Sequence, residues 1–236
     1  MTTTINGGRL LATALQMSGT TEIFTLHGGH LDPFLVECAD HGIRVTDTRH
    51  ESTAGHAADA YARLTGRIGV CVTTSGPGFT NTFTAMANAK LDASPVLFII
   101  GAPPLREQEL NVLQGGIDQI EAARTVSKWA HRVTNGERIP ELVALAMRHA
   151  TEGRPGPVVL EVPIDVLARP VPQDWVRMPS FAPVPRSAPT ASAVAAAVEA
   201  IVGAERPVLV VGGGAALSRC SQELTDFAEL ASIPVF

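Results

Sequence analysis

The feature that most constrains the fold is an alternation of short apolar runs with segments patterned as helices. The runs with strand composition are Glu22–Leu26, Ile43–Asp47, Ile68–Thr74, Pro95–Gly101, Lys128–Val133 and Pro157–Val162. Strands that alternate with helices indicate parallel pairing through crossover connections. The sequence therefore predicts an α/β fold, with a doubly wound parallel six-stranded sheet flanked by helices.

The helical segments carry the apolar stripes that packing against a sheet requires. Apolar residues recur at helical spacing between residues 10 and 15 and again between residues 139 and 146. The mean hydropathy is +0.18 with only 5% aromatic residues, so small aliphatic side chains supply the apolar character. This composition is typical of strands that are buried on both faces.

Charge and composition exclude several classes of partner. The formal net charge is −5 and no run of Lys or Arg occurs, so we expect neither nucleic-acid nor anionic-membrane binding. No stretch reaches the roughly 18 apolar residues needed to span a bilayer, and the N-terminus has no secretory signal. Three scattered cysteines, Cys38, Cys71 and Cys220, favour a reducing, cytoplasmic compartment.

A proline-rich stretch divides the sequence. We predict a first domain over residues 1–168, a linker over 169–189 and the beginning of a second α/β domain over 190–236. The second domain should contain a helix capped by Thr190, a strand Val208–Val211, a helix from about Ser218 to Ala231 and a strand Ile233–Phe236. Two strands make a poor independent core, so we expect the chain to be part of a longer protein.

Three strand-to-helix junctions have the residues of a ligand site. They are Leu26-His27-Gly28-Gly29-His30, Thr48-Arg49-His50-Glu51 and Thr73-Thr74-Ser75-Gly76-Pro77-Gly78. Ligands of open α/β sheets bind at the carboxyl ends of the strands. An acid in the first turn of a helix is also favoured by the helix dipole without any chemistry, and Gly-Pro-Gly is also an ordinary tight turn. The presence of all three junctions predicts one shared crevice.

Longer motifs connect these junctions to a known family. They are Arg49-His50-Glu51, residues 74–81, residues 91–97, Ile117-Asp118-Gln119 and residues 156–165. Together they resemble the N-terminal pyrimidine-binding domain of thiamine-diphosphate-dependent enzymes, followed by the start of their central domain. Residues 26–30, 47–51, 113–119 and 128–133 are most similar to the benzaldehyde lyases, and acetolactate synthases and 2-hydroxyacyl-CoA lyases are the next relatives.

The resemblance implies a role for each candidate site residue. Glu51 would bond a ring nitrogen of the cofactor's aminopyrimidine and control its proton. The other cofactor-binding residues would be Thr74, Gly76, Pro77, Gly78 and Asn81. Asn81 would brace the loop or a subunit interface rather than touch substrate. His30 and Gln114 would hydrogen-bond substrate oxygens or relay protons, next to a substrate-site loop of His27, Gly28 and Gly29.

Cofactors and partners follow from the same resemblance. Thiamine diphosphate is expected with magnesium, whose Gly-Asp-Gly ligand motif does not occur in this sequence, so a second copy or a companion chain would carry the diphosphate-binding domain. We expect a homodimer or homotetramer acting on a small carbonyl substrate. His27 and His30 lack further residues with ligand spacing, so no metal site is predicted. FAD is disfavoured, because Gly212-Gly213-Gly214 lacks the spacing of a dinucleotide motif.

The function predicted on this basis is a carbon–carbon lyase or carboligase for 2-hydroxy ketones and aldehydes. Gly29 and Gln114-Gly115 stand where pyruvate-decarboxylase-type enzymes have an acid and a histidine pair, which argues against a simple decarboxylase. An acetolactate-synthase-like or 2-hydroxyacyl-CoA-lyase-like enzyme is the alternative. A non-catalytic binding or assembly module is the alternative of another class.

Overall fold

A computed structural model describes residues 3–107, 110, 112–182 and 187–236. The chain divides into two compact units, Met1–Val184 and Pro185–Phe236. No helix formed by these described residues is both long enough and apolar enough to cross a membrane.

The first unit is built on a six-stranded sheet. The strands of the first unit, in chain order, are β1 Thr4–Asn6, β2 Glu22–Leu26, β3 Arg44–Asp47, β4 Gly69–Thr73, β5 Val96–Ala102, β6 Trp129–Arg132, β7 Val158–Pro163 and β8 Pro170–Pro172. The short strands β1 and β8 form a separate two-stranded sheet. The main sheet has the order β3-β2-β4-β5-β7-β6, and all of its neighbouring strands are parallel. The predicted doubly wound α/β fold is confirmed.

Helices cover both faces of this sheet. They are α1 Gly7–Met17, α2 Asp32–Cys38, α3 Glu51–Thr65, α4 Pro77–Thr80, α5 Phe83–Leu91, α6 Gln119–Val126, α7 Ile139–Thr151 and α8 Ile164–Ala168. Alternate residues of a strand point to opposite faces. In β5, Leu97 and Ile99 pack in the core with α1 and α7, while Phe98 and Ile100 pack in the second core with α3 and α5. Both predicted apolar stripes, on α1 and α7, are buried.

The first unit continues into the segment that the sequence assigns to a linker. Strand β8 pairs antiparallel with β1, with Ile5 opposite Val171. Further along the chain, Phe181 packs against the core that contains α1 and α7. The proline-rich composition therefore coincides with a strand that ties the two ends of the first unit together.

The second unit contains three helices, α9 Ala191–Val202, α10 Gly213–Ser218 and α11 Ser221–Ala231. Thr190 caps α9 as predicted, since its hydroxyl accepts a hydrogen bond from the Ala193 amide at 3.2 Å. In place of the two predicted strands, the structure has one isolated parallel bridge between Leu209 and Val235, and the Val211 amide donates a further hydrogen bond to the Phe236 carbonyl at 2.8 Å. The glycine-rich segment begins α10, a helix that the sequence does not predict.

Candidate functional site

The strand order brings the three predicted junctions to one edge of the sheet. Parallel pairing places Thr25 beside Asp47, Leu26 beside Thr73, and Thr73 beside Ile100. The carboxyl ends of β3, β2, β4 and β5 therefore follow one another along this edge. The loops that leave these strands carry all of the candidate site residues that precede residue 107.

Glu51 is the first residue of α3 and is buried, with 8% of its surface exposed. The helix is capped by the residue before it, because His50 Nδ1 accepts a hydrogen bond from the Ser52 amide at 3.1 Å. The Glu51 carboxylate is thus not needed as a cap. Within the described part of the chain its hydrogen-bond partner is Asn81, whose Nδ2 donates to Oε2 at 2.9 Å.

The loop after β4 closes tightly around this carboxylate. Gly76 has φ 59° and ψ −116°, a conformation that only glycine adopts without strain. A methyl group on Gly78 would lie 2.7 Å from Thr74 Cγ2 and 3.5 Å from Glu51 Oε1. The absence of a side chain on Gly78 leaves backbone beside the carboxylate, while Gly76 packs on the Gln114 backbone and Pro77 begins α4.

Thr74 connects this loop to the other predicted side chains. Its hydroxyl donates to Gln114 Oε1 at 3.0 Å, and its oxygen lies 2.9 Å from His30 Nδ1. With the single hydroxyl hydrogen used on Gln114, this arrangement favours an imidazole that donates to Thr74 from Nδ1, and Ser75 Oγ lies 3.4 Å from the same nitrogen. The Nε2 atom of neutral His30 is then an acceptor.

The surroundings of His30 favour its neutral form. Burial lowers the pKa of the imidazole, and the hydrogen bond with Gln114 opposes this effect in part. Gly101 on β5 makes room for the ring, since a methyl group there would lie 2.8 Å from His30 Cβ. His30 can therefore accept a proton at neutral pH.

The remaining residues of the first loop differ in their placement. Gly28 packs on Thr74, and a methyl group on it would lie 2.3 Å from Thr74 Cβ. A methyl group on Gly29 would make only an ordinary contact, 3.9 Å from Asp32 Oδ2. His27 turns to the exposed Asp32, with 2.7 Å between Nε2 and Oδ1. The structure thus brings His30, but not His27, to Thr74 and Gln114.

A group of buried polar residues behind the loop was not singled out from the sequence. Gln119, the first residue of α6, accepts a hydrogen bond from the Gly76 amide at 2.9 Å and donates to Glu161 at 3.1 Å. Glu161 is fully buried and forms an ion pair with Arg132. The signal that could have found this group is an acid inside the apolar run of β7, which requires a buried partner.

No group of three or more potential metal ligands occurs among residues 3–107, 110, 112–182 and 187–236. The crevice offers a carboxylate, backbone and hydrogen-bonding side chains, which suit an organic ligand.

Comparison with known proteins identifies the class to which this fold and site belong. Residues 5–122 match the family model described as "Thiamine pyrophosphate enzyme, N-terminal TPP binding domain". Residues 194–236 match the model described as "Thiamine pyrophosphate enzyme, central domain". The chain belongs to the thiamine pyrophosphate enzyme family.

Individual relatives carry two names. The chain is 48% identical to 2-hydroxyacyl-CoA lyase 2 of Bos taurus over 70% of its length and 26% of that protein. It is 38% identical to 2-hydroxyacyl-CoA lyase 2 of Homo sapiens over 98% of its length and 42% of that protein. It is 37% identical to the probable acetolactate synthase large subunit of Methanocaldococcus jannaschii over 98% of its length and 40% of that protein. The chain thus spans less than half the length of these relatives.

Proposed function

We propose that this chain forms the pyrimidine-binding part of a thiamine-diphosphate-dependent enzyme that makes or breaks the carbon–carbon bond of a 2-hydroxy carbonyl compound. The observation that supports the proposal most strongly is the buried Glu51 carboxylate, which hydrogen-bonds Asn81 and faces the backbone of Gly78. A carboxylate in this position can meet a ring nitrogen of an aminopyrimidine.

The loop beside the carboxylate suits that heterocycle. A methyl group on Gly76 would lie 2.7 Å from the Gln114 carbonyl oxygen, and one on Gly78 would lie 2.7 Å from Thr74 Cγ2, so both glycines let the loop pack closely on these two residues. Gly78 lies beside Glu51 without a side chain, which allows a flat ring to approach the carboxylate. The carboxylate and this backbone are the groups that would hold the aminopyrimidine of thiamine diphosphate.

Each polar side chain then has a task. Thiamine diphosphate supplies a thiazolium carbon that adds to carbonyl groups and stabilises negative charge. Glu51 holds a proton at the aminopyrimidine ring nitrogen, and Asn81 fixes the carboxylate that does so. His30, with Nε2 as acceptor, and Gln114 take or orient the proton of a substrate hydroxyl.

Two substrate classes follow from different observations. The resemblance of His30 and Gln114 to the benzaldehyde lyases favours 2-hydroxy ketones and aldehydes. The names of the relatives favour a 2-hydroxyacyl-CoA lyase or an acetolactate synthase. The substrates would then be 2-hydroxyacyl thioesters of CoA or, as the resemblance to acetolactate synthases implies, 2-oxo acids. In all of these substrates the bond that reacts joins two carbons that both bear oxygen.

The experiment that separates these classes is a substrate profile of the complete protein. Benzoin, a 2-hydroxyacyl-CoA and pyruvate are offered with thiamine diphosphate and magnesium, and the products are measured. Cleavage of benzoin supports the ketone class, and cleavage of the thioester or condensation of pyruvate supports the alternative. No turnover of any of them, with Glu51→Gln indistinguishable from the unaltered protein, would favour a non-catalytic module.

The magnesium and diphosphate ligands belong to the proposal as well. A second copy or a companion chain with a diphosphate-binding domain would supply them at the Glu51 crevice, in a homodimer or homotetramer. Calorimetry of this chain alone tests this point, because micromolar binding of thiamine diphosphate by residues 1–236 would contradict it. An absorbance spectrum of the purified complete protein tests for FAD, which we do not expect.

A further inference from the structure

The loop after β4, which faces Glu51, is hydrogen-bonded to the side chain of Gln119. Both the oxygen and the nitrogen of this side-chain amide have hydrogen-bond partners. Gln119 is 3% exposed. Its Oε1 accepts from the Gly76 amide at 2.9 Å, and its Nε2 donates to the Gly101 carbonyl oxygen at 3.2 Å and to Glu161 Oε2 at 3.1 Å. Gln119 therefore joins the loop after β4 to the carboxyl ends of β5 and β7.

The direction of the Gln119 amide is fixed by its neighbours. Glu161 on β7 lies opposite Arg132 on β6, and Arg132 donates to both of its carboxylate oxygens, with 3.3 Å from Nη2 to Oε2. A carboxylate paired with a guanidinium accepts hydrogen bonds, and so does a carbonyl oxygen. Both neighbours thus require the amide nitrogen, and the oxygen must face Gly76.

Gly76 is the residue of the loop that most needs such a hold. Its backbone has φ 59° and ψ −116°, and on its other side it packs against the Gln114 backbone. Two residues before it, Thr74 contacts His30 and Gln114, and two residues after it, Gly78 contacts Glu51. A shift of the Gly76 backbone would therefore move Thr74 relative to His30 and would also move Gly78 relative to Glu51.

We propose that Gln119 is a positioning residue, which sets the Gly76 loop for the cofactor through an amide whose direction the buried Glu161–Arg132 pair determines. The structural part of this inference stands on the contacts alone. Its link to the cofactor rests on the proposed function, so the test has one readout for each part.

The first readout is hydrogen exchange of the Gly76 amide in the chain, measured by nuclear magnetic resonance. Gln119→Met keeps the length of the side chain and removes its hydrogen bonds, while Glu161→Gln keeps the shape and frees the Gln119 amide to turn. The Gly76 amide should exchange about tenfold faster in Gln119→Met, relative to amides of β5, and less than that in Glu161→Gln. Should Gln119→Met fail to fold, Glu161→Gln carries the test.

The matched control is Asp59→Asn, which alters another buried carboxylate paired with an arginine. Asp59 accepts from Arg63 Nη2 at 2.6 Å, within α3 and away from the Gly76 loop. This variant should lower stability without changing the relative exchange of Gly76. Equal relative exchange in all three variants would overturn the positioning role.

The second readout is the thiamine diphosphate concentration that half-saturates the complete protein. We expect it to rise about tenfold in Glu161→Gln and to stay within twofold of the unaltered protein in Asp59→Asn. An unchanged value in Glu161→Gln would overturn the link between Gln119 and the cofactor. That result would leave the role of Glu51 intact, because Glu51 is tested by its own variant.

Discussion

Asn81 donates a hydrogen bond to Glu51 across 2.9 Å, from the end of α4 to the start of α3. Asp59 lies eight residues further along α3 and accepts a hydrogen bond from Asn88 of α5 at the same distance. Both pairs join an asparagine amide to a buried carboxylate, and Asp59 is also paired with Arg63. Only Asn81 and Glu51 lie at the edge of the sheet where the loops converge. The chain therefore contains its own control for the effect of an asparagine on a buried carboxylate.

Asn81→Ala should lower turnover of the complete protein about tenfold, because it removes the group that fixes the Glu51 carboxylate. Asn88→Ala should leave turnover unchanged. Asn81→Ala should cost about 1–2 kcal/mol of unfolding free energy, and Asn88→Ala should cost less, because Asp59 keeps its hydrogen bonds from Arg63. Initial rates and urea titrations measure the two effects. Equal turnover in the two variants would contradict the role given to Asn81.

Gly28→Ala should destabilise the first unit by about 1–3 kcal/mol, because the new methyl group would lie 2.3 Å from Thr74 Cβ. Gly29→Ala is the matched control. The nearest atom to a methyl group there, Asp32 Oδ2, is 3.9 Å away, so we expect a change within about 0.5 kcal/mol. Urea unfolding of the chain measures both. A Gly28→Ala variant as stable as Gly29→Ala would show that Thr74 is not packed as described.

His30 should titrate below the ordinary histidine pKa of 6.5, because burial disfavours the imidazolium. The folded state then binds this proton less readily than the unfolded state. The contribution of His30 to stability is complete above pH 6.5 and is lost as the pH falls from 6.5 through the lower folded-state pKa. Burial and Arg138 also lower the pKa of His131, which adds a loss in the same direction.

Nuclear magnetic resonance titration of the imidazole signals measures this shift. The spectrum of His30→Gln assigns the signal, and the acid dependence of its unfolding free energy should be shallower near pH 6 than that of the unaltered chain. A His30 midpoint at or above 6.5 would contradict the conclusion that burial outweighs the hydrogen bond with Gln114.

Most of the first unit could be predicted from the sequence because its signals are local. The central strands β4, β5 and β7 are buried runs, whereas the edge strands β3 and β6 also carry charged residues. Helices separate all of these strands along the chain, and periodicity identifies such an alternation. The short pair of β1 and β8 could not be predicted in this way. Its strands lie far apart in the sequence, and Pro170 and Pro172 are typical of a linker or of an edge strand with one neighbour.

The candidate site was predicted unevenly, for the same physical reason. Glu51 and the Gly76 loop follow directly from strand ends, and His30 and Gln114 from family resemblance. Gln119 and Glu161 depend on contacts between distant segments, so their sequence motifs alone gave no role. The charged Glu161 within an apolar strand was the available signal, and Arg132 on the neighbouring strand was its partner.

The central claim is that the Glu51 carboxylate controls a proton on the aminopyrimidine of thiamine diphosphate. Glu51→Gln in the complete protein keeps the size of the side chain and removes the acid. The measurement is turnover at saturating thiamine diphosphate and magnesium, with cofactor binding followed in parallel by calorimetry. Our account predicts a loss of at least about a hundredfold in turnover with the cofactor still bound, and a variant that retains full turnover would contradict it.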